Sequence, residues 1–480
     1  MILDSSPPWM SWFSKLDSHE AIRRAAHQGA VPIPDLGTLR LDEACRRLNT
    51  AWQEIFVPGD QHVAILEMMI GRASSFSNAT FPTLRDFNIS RGLAAPPPRE
   101  ANPIWCLTGL AGVSKSSLVK AFERVCQLQN GGALSCATQT QVVQPVRRIS
   151  ISAQQSVHGV LEMLANPNAF ASSRTSTTRA LTQHAREWLA AHATSTLVVD
   201  EMQFFTQSAT ASTKTSHLIM TLGNLQVPLI YVANYSLVNK LVLRPHEEKN
   251  RLLASPIVLL PPSAGDQSWA DSVAEYLSVA PEFFRLHGPE EILELHRLTA
   301  GLYRALRELL IQAYRTASNS GRAPVTIADV RKAYGSPAYT SNRKDIEDLI
   351  SLSVSRTMER ERPDLVCPFV ERNVGVQPMK KASKNQDPVP SADMSAAIIE
   401  SSMSAAARAT INAFRKSAEE SASSNRSTTV VHMPKRGPVS AQSLLDGAAL
   451  FRQSMRSGGS TRKKTSPQKS DSKVNDDNTN

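Results

Sequence analysis

The stretch Gly109–Ser117, G-L-A-G-V-S-K-S-S, constrains this chain more than any other. It follows an apolar run, Ile104–Leu107, and precedes a segment with helical spacing, Ser117–Gln127. A strand, a glycine-containing turn and a helix in that order is what a phosphate-binding loop requires. Gly109 and Gly112 let backbone N–H groups close on phosphate oxygens, and the helix turns its positive end toward them. Lys115 then meets the β- and γ-phosphates. Ser116 and Ser117 open the helix, with the Ser116 hydroxyl placed to ligate Mg²⁺. The residue before the lysine is Ser114, where the usual pattern has glycine. If that position needs positive φ, serine costs about 1–2 kcal/mol. From sequence, Ser114→Gly is therefore expected to leave phosphate binding intact or improve it.

A second feature completes the pattern. Leu197–Glu201, L-V-V-D-E, reads as a buried strand ending in two carboxylates. Beside a phosphate loop, the Asp of such a strand holds Mg²⁺ through water and the Glu polarises the attacking water. A D-E pair also ends many ordinary strands, so the order of the two features carries the reading. A later run, V-P-L-I-Y-V-A-N, ends in Asn234, which either orients the lytic water or caps the next helix. Arg244, Lys249 and Arg251 precede the last apolar run, where an arginine could protrude toward a neighbouring subunit.

From Ile104 short apolar runs alternate with helical segments, which predicts an α/β fold with a parallel five-stranded sheet. Strands are expected at 104–108, 146–152, 196–200, 228–233 and 256–260. Helices are expected near 115–128, 156–165, 178–193, 212–224 and 236–243. After Pro261–Pro262 the pattern becomes helical throughout, near 267–279, 289–299, 302–317 and 326–334. There Gly301-x-x-Arg304 offers a lid arginine for phosphates. The expected organisation is a helical N-terminal extension over 1–95, a nucleotide-binding α/β domain over 96–262 and a helical lid over 263–340. A helical extension over 341–372 and a tail over 373–480 follow.

The N-terminal residues Trp9, Trp12 and Phe13 read either as an arm packed on the core or as a docking segment. The tail carries 16 Lys/Arg against 9 Asp/Glu, so it holds +7 of the chain's net +10. Its Ser, Ala, Asn and Lys content predicts disorder, with amphipathic islands at 391–418 and 440–456 that would fold on a partner. A basic excess favours nucleic acid, and Arg147, Arg148, Arg174 and Arg179 read as solvated loop residues or as a track for a phosphodiester backbone. The five cysteines form no C-x-x-C pair or Cys/His cluster, which fits a reducing compartment rather than a zinc site or disulfide framework. The opening M-I-L-D-S-S-P-P lacks the basic and apolar regions of a secretory leader, and no run reaches membrane-spanning length. A cytoplasmic protein with no membrane partner is expected.

Taken in order, the loop at 109–116, L-V-V-D-E-M-Q at 197–203, Asn234 and Gly301–Arg304 resemble AAA+ ATPases. Together with H-L-I-M-T-L-G-N-L-Q-V-P-L-I-Y-V-A-N-Y-S at 217–236, they resemble the TniB/TnsC-type ATP-dependent regulators of transposition over roughly residues 55–335. That resemblance implies a DNA-binding ATPase that uses ATP and Mg²⁺ and assembles as a homo-oligomeric ring or filament on double-stranded DNA. It would link a target-selector protein to a transposase. Carried over by position, Lys115 and Ser116 bind phosphate and Mg²⁺, Asp200 holds Mg²⁺, and Glu201 is the catalytic base. Asn234 is sensor 1, Arg304 is sensor 2, and Arg251, or else Arg244, is the finger supplied in trans. Ser114 departs from the pattern and implies slow hydrolysis or a switch driven by ATP binding alone. Helicase loaders and replication initiators share these core motifs, and a nucleotide-dependent DNA scaffold without turnover is the non-enzymatic alternative.

Overall fold

The computed structural model describes residues 7–92, 103–127, 133–136, 139–152, 155–165, 177–202, 211–321, 324–352 and 362–369. All of them belong to one compact unit, Met1–Val376. The tail with its two islands, Arg174 and Gln203 lie outside the described residues.

The apolar runs form the expected sheet. Its strands are β1 (Trp105–Gly109), the pair β2 (Ala133–Cys136) and β3 (Gln139–Val142), then β4 (Val146–Ser150), β5 (Thr196–Asp200), β6 (Leu229–Asn234) and β7 (Ser255–Leu259). β1 and β4–β7 make one five-stranded sheet in the order β4-β5-β6-β1-β7, and every pairing is parallel. All of β5 and five of six residues in β6 are buried, as in a parallel sheet covered on both faces. β2 and β3 form a separate antiparallel hairpin.

The helices, in chain order, begin with α1 (Pro8–Phe13), α2 (His19–Ala26), α3 (Leu41–Glu54), α4 (Asp60–Thr80) and α5 (Leu84–Gly92). Between the strands lie α6 (Lys115–Val125), α7 (Val157–Ala165), α8 (Thr178–Ala191), α9 (Ala211–Gly223), α10 (Tyr235–Val242) and α11 (His246–Leu252). The helical unit after β7 consists of α12 (Gln267–Ser278), α13 (Pro289–Thr299), α14 (Tyr303–Asn319), α15 (Ile327–Tyr334) and α16 (Thr340–Leu352).

Strand order decides where a ligand can sit. From β1 the chain crosses to the far edge at β4, steps back through β5 and β6, and ends at β7 on the other side of β1. The carboxyl end of β1 therefore opens between connections that diverge, which is where open α/β sheets bind ligands. Register brings the chemistry to that edge. Gly109 pairs with Asn234 on one side and Leu259 on the other, and Ser150 pairs with Asp200.

The N-terminal helices share this core. Trp9 is 1% exposed, donates its indole N–H to Phe81 O at 3.1 Å and packs edge-on against Phe81 and Phe87. Trp12 and Phe13 are buried too, so these aromatics are a packing arm on the core rather than an exposed docking segment. α3 packs on α14, and the buried Trp52 donates to Tyr276 O at 2.7 Å. The segment between α3 and α4 thus lies between the helical unit after β7 and the sheet.

Two basic residues read as solvated are engaged internally. Arg147 is half-buried with its guanidinium over the Trp188 ring at 4.8 Å, and Arg148 is paired with Glu123 at 2.8 Å. Neither offers a mobile charge to a phosphodiester backbone. Among the described residues, no helix is long and apolar enough to cross a membrane.

Candidate functional site

Residues 110–114 close a loop between β1 and α6, and the first helical residue is Lys115. Lys115 is 7% exposed, and its ammonium donates to Gly109 O at 2.9 Å and Leu110 O at 2.7 Å. Burial, and then the nearby Arg304, lower its pKa to about 7, because burial disfavours the charged form and Arg304 repels a second positive charge. An anion in the adjoining cavity would oppose this shift by favouring the charged ammonium.

The cavity holds about 370 Å³ and opens onto the loop. Gly112, Ser114, Lys115, Ser116 and Ser117 line one side. Asp200, Glu201 and Asn234 come in from the strand ends, and Arg304 from α14. Gly112 sits at φ +86°, and a Cβ there would stand 2.8 Å from the Arg304 Cβ. The backbone N–H of Arg304 also donates to Gly112 O at 3.3 Å. Loop and lid therefore touch through a residue that cannot carry a side chain.

Ser116 donates its hydroxyl to Asp200 Oδ1 at 3.2 Å, and Asp200 is almost fully buried. A hydroxyl and a carboxylate beside a phosphate cradle are the hard oxygen donors that suit Mg²⁺, which takes few protein ligands and fills its shell with phosphate and water. Glu201 follows at φ +61°, and its backbone N–H donates to Asp200 Oδ1 at 2.8 Å. A glutamate in the left-handed region is backbone strain of the kind found at functional sites, and here the turn fixes the neighbouring carboxylate. Asn234 is the N-cap of α10, yet its side chain makes no capping bond and faces the cavity. Of the two roles open from sequence, the capping one is absent.

Cradle, cation, carboxylates and lid arginine thus meet in one cavity at the carboxyl edge of a β4-β5-β6-β1-β7 parallel sheet. The chain has the parallel α/β fold of a P-loop protein.

No family model and no curated protein matches the sequence. Similar solved structures include the Aeropyrum pernix ORC2 protein in its ADP form, at 12% identity and a TM-score of 0.42, covering 66% of this chain and 82% of that one. The Aeropyrum pernix ORC1 protein in complex with DNA aligns at 16% identity and a TM-score of 0.39, covering 62% and 68%. Domain III of the Thermotoga maritima replication initiation protein DnaA aligns at 11% and 0.35, covering 63% and 97%.

The two finger candidates lie outside the cavity lining. Arg244 is half-buried, paired with Glu248 at 2.8 Å and donating to Thr213 Oγ1 at 3.3 Å. Arg251, on α11, is exposed and has no hydrogen-bond or ion-pair partner among the described residues.

Several residues of the cavity escaped the sequence reading. Ile55, Phe56 and Val57, between α3 and α4, form an apolar flank of the cavity. Arg307 adds a second lid cation one turn beyond Arg304, a spacing that the i, i+3 rule could have flagged. His62, in the first turn of α4, is buried against Phe56 with ring centroids 5.3 Å apart. Burial lowers its pKa to about 4, so the ring is neutral at physiological pH. No motif marks a lone histidine of this kind.

Proposed function

We propose that this chain is an AAA+ ATPase that binds ATP with Mg²⁺ and hydrolyses it when assembled. The observation that carries the reading is the convergence of Lys115, Ser116, Asp200 and Arg304 on one cavity. Lys115 and the α6 N-terminus hold the phosphates, and Ser116 with Asp200 holds the metal. Glu201 orients the attacking water, with Asn234 beside it at the end of the adjacent strand. Bound Mg²⁺ supplies charge neutralisation on the phosphate oxygens. Arg304, at the start of the lid, reads the phosphates from the opposite wall, so its contact with Gly112 ties lid position to loop occupancy.

The finer reading is a DNA-bound regulator of transposition that joins a target-selector protein to a transposase. Its support is the resemblance of 197–203 and 217–236 to TniB/TnsC-type proteins, together with the basic excess of the chain. Arg251 is the preferred finger because it is exposed and has no partner among the described residues, whereas Arg244 is committed to Glu248 and Thr213.

Titration with ATP tests the core of the proposal. Lys115→Ala is expected to abolish binding, and Glu201→Gln to retain binding while stopping phosphate release. Unchanged affinity in Lys115→Ala would remove the phosphate-loop assignment. ATP-dependent recruitment of a transposase to the protein on duplex DNA tests the finer reading. Recruitment of a replicative helicase instead would move the protein to the initiator class.

A further inference from the structure

We infer that Ser114 is a phosphate-binding hydroxyl held in place by His62, a positioning residue contributed by the N-terminal helices. The inference deepens the nucleotide-binding reading and rests on it.

Ser114 occupies the left-handed region, at φ +82° and ψ +17°. A serine there is strained, and glycine would relieve the strain. It nevertheless makes one specific contact. Its Oγ lies 2.9 Å from His62 Nε2. The other ring nitrogen, Nδ1, accepts the backbone N–H of Gly59 at 3.2 Å. A nitrogen that accepts carries no proton, so the proton of the neutral ring is on Nε2 and is donated to Ser114 Oγ. The hydroxyl oxygen is thereby used as an acceptor on the His62 side, and the hydroxyl hydrogen must point elsewhere.

Ser114 is half-buried and lines the cavity next to Lys115, so the open direction for that hydrogen is the cavity itself. A loop with glycine at this position can offer phosphate only its backbone N–H. This loop offers an oriented O–H as well. The chain Gly59 N–H, His62, Ser114 also connects the phosphate loop to the segment carrying Phe56 and Val57, which flank the same cavity. Helix capping alone accounts for the Gly59 contact and not for the contact at Nε2. The inference reverses the expectation from sequence that Ser114→Gly is neutral or beneficial.

The test is calorimetric titration of the full chain with ATP and with ADP, alongside thermal melts. Ser114→Ala keeps the strained backbone and removes the hydroxyl, and it should weaken both nucleotides about tenfold, the loss of one hydrogen bond to a charged group. Ser114→Gly should weaken them similarly while melting at the same or a higher temperature. That split between affinity and stability is one that a purely structural serine does not produce. His62→Ala should weaken binding in the wild-type background and add nothing in the Ser114→Ala background. His62→Gln, which keeps a donor in place of Nε2 and guards against a packing defect, should retain most of the affinity. Wild-type affinity in both Ser114 variants, with Lys115→Ala inactive, would overturn the inference and leave the ATPase reading standing. An equal loss from His62→Ala in both backgrounds would reduce His62 to a packing residue and overturn it too. A wild-type protein that binds neither nucleotide would remove the ATPase reading itself.

Discussion

At the scale of single residues, the site is built from groups whose ordinary preferences are overridden by their neighbours. Gly112 is the clearest case, because its conformation and its distance from Arg304 both exclude a side chain. Gly112→Ala is expected to cost about 1–2 kcal/mol from the left-handed backbone alone. It should also push α14 off the loop, so ATP affinity falls more than the melt implies. Comparing titration with thermal denaturation checks this, and equal effects on both would mean the lid contact is incidental. His62 gives a pH signature. Its pKa falls from 6.5 to about 4 on folding, so below pH 6.5 the unfolded chain takes up a proton that the folded chain refuses. Stability should be unaffected above pH 6.5 and decline between 6.5 and 4, by up to about 3 kcal/mol, with the decline reduced in His62→Gln. That Lys115, Asp200 and Arg304 belong together was legible in the sequence because each sits in a short local motif, and the fold brings all three to one cavity. His62, Phe56 and Arg307 were not, because each reaches the cavity through tertiary packing with no local pattern of its own.

At the scale of elements, hydrophobic periodicity located the five parallel strands and most helices, since each must bury an apolar run on a defined face. The β2–β3 hairpin was missed because its segment, A-L-S-C-A-T-Q-T-Q-V, alternates too weakly to outweigh its polar content. α11 was missed because seven residues, H-E-E-K-N-R-L, carry one buried side chain and no stripe. The N-terminal aromatics were misjudged for another reason. Composition can show that Trp9 is costly to expose and cannot show what covers it. In the fold Phe81 and Phe87 do, and α1 packs on α4. Trp9→Ala should therefore destabilise the protein by about 3–5 kcal/mol, the usual cost of emptying a buried tryptophan site. Denaturant unfolding measures this, and a loss below about 1 kcal/mol would mean that α1 is dispensable to the core.

At the scale of the whole molecule, the proposed ATPase site still needs a trans-acting cation for the γ-phosphate. The candidate for that part is Arg251, exposed on α11 and outside its own cavity lining. α11 is tied to the site's sheet by Tyr231, buried on β6, which donates its hydroxyl to Leu252 O at 2.9 Å. Arg251 is thus mounted one residue from a fixed point on the strand that ends at Asn234. An arginine finger contributes about 10³–10⁵ in rate, so hydrolysis should be slow in dilute protein and rise with concentration. Duplex DNA should promote it by aligning subunits along its backbone, an effect that falls steeply with salt. Mixing separates a finger in trans from one in cis. Arg251→Ala and Glu201→Gln should each be inactive alone, for want of the finger and of the base. In equimolar co-assemblies about one interface in four joins an intact Glu201 site to a neighbour's intact Arg251, so roughly that share of activity should return. Recovery on that scale, read as phosphate release at fixed DNA and total protein, requires the two groups to work across a subunit boundary. Co-assembly without recovery, or full activity of Arg251→Ala at any concentration, would exclude Arg251 and leave Arg244 to be tested after release from Glu248.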